Sequence, residues 1–139
     1  MLSQSHRGIS TLGAIALASV IIIGGISLFI IYTARGQTSR DKIRQSHLQT
    51  IGLAQEYYYD RHRKYGDLSD LSNASLLPSE IKDPATGTDY QIYRNHLNDE
   101  WCAWVGSEAK KSLYFIYHEA GAGTITNQPT NLATCKPSL

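Results

Sequence analysis

Residues 12–32 carry no charged side chain, and apolar residues fill most of that run. At about 1.5 Å of rise per residue, a helix of this length covers a hydrocarbon layer of roughly 30 Å. The pattern therefore predicts a membrane-spanning helix over residues 9–33. Ser10, Ala14 and Ala18 recur in it at spacing four, a stripe of small side chains against which a second helix packs closely. Gly24-Gly25 interrupts the apolar run and predicts a local bend or unwinding.

From residue 37 onward the pattern stays helical but turns amphipathic. Ile43, His47, Ile51, Ala54 and Tyr58 fall along one face with Leu48 beside it, and Arg40, Lys42, Arg44, Gln45 and Gln49 fill the rest. This predicts a helix over 37–65, ended by Gly66. Residues 69–77 read as a short helix or turn, and Asp83-Pro84 and Thr86-Gly87 punctuate a loop. Alternation then predicts strands at Tyr90 and Ile92, at 101–105 and at 113–117, with 106–111 as a hairpin loop. The expected fold is α+β: a long N-terminal helix, half membrane and half amphipathic, packed on a small three-stranded antiparallel sheet over 89–118. A tail of loop, 119–139, follows.

A chain of 139 residues accommodates that helix and one modest domain, here residues 34–139. With 13 basic and 12 acidic residues and a formal charge of +1, it lacks the excess of positive charge that marks a nucleic-acid binder. Its two cysteines, Cys102 and Cys135, lie on the same side of the apolar run. Outside a reducing cytosol such a pair bonds and ties the tail back to the sheet, contributing about 3.5 to 4 kcal/mol in the chain-entropy model. Charge counting argues for the opposite side, because Arg35, Arg40, Lys42 and Arg44 follow the run while only His6 and Arg7 precede it. Long domains translocate largely regardless of charge, so the cysteines and the leader decide for an extracytoplasmic domain.

That leader is Arg7-Gly8-Ile9-Ser10-Thr11-Leu12, with its small-residue junction before the apolar run, where a secretory signal would place it after. It resembles the class III leader of type IV pilins and type II secretion pseudopilins. Two further stretches resemble the same family. Tyr57-Tyr58-Tyr59 followed by Arg63-Lys64-Tyr65-Gly66 is similar to the aromatic helix end before a Lys-Tyr-Pro turn, with Gly66 where that proline is common. The run from Lys82 to Tyr90 is similar to the loop that introduces the first strand.

The resemblance implies a leader peptide of residues 1–8, cleaved after Gly8 by a prepilin peptidase, and a mature chain starting at a methylated Ile9. It also implies an inner-membrane anchor that becomes the core of an extracellular or periplasmic fibre, with other pilin or pseudopilin subunits and the lipid bilayer as partners. Gly13 departs from the family, which carries a glutamate at the fifth mature position to pair with a neighbouring N-terminal amine. Subunits without that glutamate tend to be minor ones at the fibre tip.

Little in the chain suggests reaction chemistry. His6, His47, His62, His96 and His118 are scattered, and none is spaced to share a helix face with another. His96, Asp99 and Glu100 read better as a solvated loop than as a site. No catalytic residues and no cofactor are expected. A calcium ion, which some pseudopilins hold, would draw its oxygen donors from Asp83, Thr86 and Asp89, or from Asp99, although the spacing fits no EF-hand pattern. Asn73-Ala74-Ser75 matches a glycosylation acceptor too short to carry weight. The readings to separate are thus a fibre subunit, a membrane-anchored binding module that never polymerises, and a DNA-uptake pilin using Arg61, Arg63, Lys64, Lys110 and Lys111. A charge patch of that size is more often a solvated face.

Overall fold

A computed structural model describes the backbone of residues 11–78 and 81–136, and the side chains of residues 32–78 and 81–136. Cleavage at Gly8 and Ile9 and the packing position Ser10 lie outside the described residues, as do the side chains of Gly13, Ala14 and Ala18. The chain divides into two units, Met1–Gly36 and Gln37–Leu139. Helix α1, Thr11–His62, is unbroken across Gly24-Gly25, so the expected unwinding does not occur. Among the described residues no helix is long and apolar enough to cross a membrane.

The second unit has an α+β fold in which α1 packs on a four-stranded antiparallel sheet. The strands are β1 (Gln91–Arg94), β2 (Trp101–Gly106), β3 (Tyr114–His118) and β4 (Gly121–Ile125), in the order β1-β2-β3-β4. The fourth strand corrects the expectation of three strands followed by a loop. Glycines at 121 and 123 weaken the strand signal, but a two-residue turn after His118 pairs Gly121 with His118 and Ile125 with Tyr114. Helix α2 (Leu68–Asn73) starts at a capping box between Asp67 and Asp70, and α3 (Leu132–Cys135) at one between Asn131 and Thr134.

The period of two in β2 sorts side chains onto two faces. Trp101 and Ala103 join Leu48, Ile51, Ala54, Tyr58, Phe115, Leu71 of α2 and the loop residues Leu77, Ile81 and Tyr90 in the main core between helix and sheet. Cys102 and Ile116 face the other way, where Cys135, Tyr93, Trp104, Ile125 and Leu132 cover them. A disulfide joins Cys102 and Cys135, and Tyr93 donates a hydrogen bond from its hydroxyl to the Pro129 carbonyl at 3.2 Å. The tail is thus a fourth strand of the sheet followed by a helical turn packed on the sheet's outer face.

The helix face turned to the sheet is the expected one at Leu48, Ile51, Ala54 and Tyr58 and differs at its start. Ile43 is 41% exposed, whereas Asp41 and Arg44 are only 5% and 4% exposed. The end of α1 differs too. The helix stops at His62, where Arg63 takes a left-handed φ of 54° while its N–H still donates to the Tyr59 carbonyl. Gly66 has a different role. Its N–H donates to Gln55 Oε1 at 2.9 Å and its carbonyl accepts from Gln55 Nε2 at 2.7 Å, and a Cβ there would lie 2.9 Å from that of Asp70.

Candidate functional site

The most organised polar feature of the second unit is a charge cluster at the start of its helix. Asp41 and Arg44, three residues apart, lie one turn above each other on the buried face of α1. Arg44 donates to both oxygens of Asp83, Nε to Oδ2 at 2.6 Å and a terminal nitrogen to Oδ1 at 3.0 Å. Its other terminal nitrogen donates to Asp41 at 2.7 Å and to Glu108 at 3.2 Å. Arg40, one turn earlier, forms a two-pronged pair with Glu108, one prong being Nε to Oε2 at 2.8 Å.

Local backbone chemistry positions each carboxylate. Asp83 opens a turn in which its Oδ1 also accepts the N–H groups of Ala85 and Thr86, each at 2.9 Å. Gly87, at a φ of 69°, closes that turn by donating to the Asp83 carbonyl. Asp41 receives the β2–β3 hairpin, accepting from Ser107 Oγ at 2.5 Å, Glu108 N at 2.9 Å and Ala109 N at 3.2 Å.

The titration behaviour follows from these bonds. Arg44 holds the Asp83 carboxyl well below the usual carboxylate range, against the opposing effect of burial. Burial acts to raise the Asp41 pKa, but the hydrogen bonds from Glu108, Ser107, Arg44 and Ala109 together outweigh it and leave the value lowered. Glu108 is lowered chiefly by its bonds with Arg40. Arg44 itself is raised, first by Asp83. Chemically, the cluster is a clasp that ties helix, turn and hairpin together while its carboxylates are engaged by cations and N–H groups. Beside it opens a groove of about 700 Å³, bordered by Arg44, Asp83, Tyr90, Trp104, Ser107 and Glu108.

Of the residues considered as calcium donors, Asp83 is thus engaged by Arg44. Asp89 is exposed and forms a backbone bridge with Lys82, and Asp99 accepts a hydrogen bond from the Asn95 side chain in a separate loop. Among the described residues no group of three or more His, Cys, Asp or Glu side chains is placed to hold a metal ion. That separate loop is a structural turn. Asn95 Oδ1 accepts from the N–H groups of Asp99 and Glu100, and the Asn98 carbonyl accepts from Tyr65 N at 2.7 Å.

The five basic residues considered for DNA fall into two sets. Arg61, Arg63 and Lys64 are exposed around the end of α1, whereas Lys110 and Lys111 belong to the hairpin that Asp41 and Arg40 hold. Twenty-one helical positions separate Arg40 from Arg61, about 30 Å at 1.5 Å per residue, so the two sets do not form one patch.

Sequence reasoning missed Asp41, Arg44 and Glu108 as one cluster. The spacing of Asp41 and Arg44 was a visible signal, but nothing local pointed to Asp83 or Glu108 as their partners. No family model, curated protein or solved structure matches the chain.

Proposed function

We propose that this chain is a structural subunit, and a minor one, of a type IV pilus-like or type II secretion pseudopilus fibre, assembled from the membrane by helix packing. The observation that carries the reading is one helix, Thr11–His62, that contains the uncharged run following Arg7-Gly8-Ile9 and goes on to pack against an antiparallel sheet. On this reading a prepilin peptidase removes residues 1–8, Ile9 is methylated, and Ser10, Ala14 and Ala18 pack against neighbouring subunits. The reading assigns the chain no enzymatic activity.

The buried disulfide favours an extracytoplasmic domain. The clasp also gives Arg40 and Arg44 a structural reason to follow the apolar run. Half of the basic residues that charge counting weighs against export have a role in the folded domain.

Gly13 removes the carboxylate that would pair with a neighbouring amine, so self-polymerisation is weak and the subunit enters fibres beside glutamate-bearing partners. Fibres sheared from cells with and without the major subunit test this. The chain should be found only in the former, and Gly13→Glu should increase its own polymerisation. Abundant fibres of this chain alone would rule out the minor role. Gly13 also favours a second reading, an anchored binding module that never polymerises; crosslinking that traps only monomers would select it.

A further inference from the structure

We propose that Lys110 and Lys111, at the β2–β3 hairpin, together with Lys42 on α1, form a basic surface that rests on anionic lipid headgroups while the subunit is anchored. This deepens the fibre-subunit reading and rests on its membrane anchor.

The hairpin has little freedom to move from the start of the domain's helix. Ser107, Glu108 and Ala109 all donate to Asp41, Arg40 grips Glu108, Lys110 N donates to Ser107 Oγ at 3.0 Å, and Leu113 N donates to the Lys110 carbonyl at 3.3 Å. Lys110, Lys111 and Lys42 are exposed, and none forms an ion pair among the described residues. Of the acids bordering the neighbouring groove, Asp83 and Glu108 are engaged in the clasp, and the exposed Asp89 bridges by its backbone to Lys82, a further basic residue. In the clasp Arg40 and Arg44 face Asp41, Asp83 and Glu108, so the three lysines outweigh its single excess negative charge.

Contour length connects this surface to a membrane. Asp41 follows Tyr32, the last large apolar residue of the run, by nine positions. Nine residues reach about 30 Å fully extended and about 13 Å as helix. The hairpin held by Asp41 therefore stays within reach of the plane where the apolar run ends, which for an anchored chain is the headgroup layer. An anionic layer attracts each lysine near it enough to shift occupancy about fivefold, and salt screens that attraction within a Debye length.

The test uses the full chain reconstituted in phosphatidylcholine vesicles with or without phosphatidylglycerol, and reads lysine labelling by a membrane-impermeant amine reagent, residue by residue. Lys42, Lys110 and Lys111 should label about fivefold more slowly when phosphatidylglycerol is present and recover at about 0.5 M salt. Lys64, far along the helix, should label alike in both vesicles. Lys110→Ser combined with Lys111→Ser should restore much of the Lys42 rate. Equal rates in the two vesicles, or equal slowing of Lys64, overturns the proposal while leaving the anchor intact. Slowing by duplex DNA, with none by phosphatidylglycerol, also overturns it and assigns the surface to nucleic acid. A chain that fails to float with either vesicle overturns the anchor and this proposal together.

Discussion

Arg44 and Asp83 stand 39 residues apart in sequence and meet through two hydrogen bonds, at 2.6 and 3.0 Å, with each side chain less than a tenth exposed. The pair fixes the Asp83 turn, which precedes the first strand, to the helix that carries the uncharged run. Arg44→Met should destabilise the domain by about 3 to 5 kcal/mol, because it leaves Asp41 and Asp83 buried without their cation. Thermal denaturation of the full chain in detergent measures it. A loss below about 1 kcal/mol would show that the clasp contributes little.

The same bonds set a pH dependence. Asp83, Asp41 and Glu108 have folded pKa values below their ordinary ones, so their contribution is complete above the unfolded carboxylate values of about 4. It is lost as pH falls below that range. Denaturation midpoints should stay level from neutral pH to about 5 and then drop, and the drop should shrink in Asp83→Asn. A midpoint that is unchanged down to pH 2 would contradict the assignment.

Gly52 of α1 lies against the Tyr117 ring of β3, and a Cβ built there would sit 2.3 Å from Tyr117 Cε1. Helix propensity alone favours alanine over glycine by about 1 kcal/mol. Here overpacking opposes and exceeds it, so Gly52→Ala should destabilise by about 1 to 2 kcal/mol. Combined with Tyr117→Val, the same change should turn stabilising. Stabilisation by Gly52→Ala in the native background would mean that the ring moves aside freely.

Much of this fold was legible and part was not. The helix continuing past the apolar run, the α2 turn and strands β1 to β3 follow from periodicity, and the disulfide from cysteine number and position. The fourth strand was hidden because Gly121 and Gly123 carry no side chain to show alternation, and its pairing is set by the Glu119-Ala120 turn. Ile43 misled for a related reason. Apolar periodicity placed it on the packed face, but at that end of the helix the β2–β3 hairpin and the Asp83 turn pack on Asp41 and Arg44, and Ile43 is left exposed. Their partners come from residues 83 and 108, a long-range pairing that local pattern does not encode. Gly66 was legible as special, but its role comes from Gln55, eleven residues earlier, rather than from ending the helix.

Replacing Cys102 and Cys135 together with alanine should cost about 2 to 5 kcal/mol. The helix and strands β1 to β3 should persist, since the main core contains neither cysteine. Hydrogen exchange read by mass spectrometry should speed up at 126–136 and change little in 101–118. Equal loss of protection in both segments would show that the tail is integral to the sheet.

The fibre-subunit reading turns on the N-terminus of the mature protein. Intact-mass and N-terminal sequencing of the chain isolated from membranes should show a start at Ile9 with a methylated amino group, and a prepilin peptidase deletion should restore residues 1–8. A mature chain that begins at Met1, or after the apolar run, would contradict it.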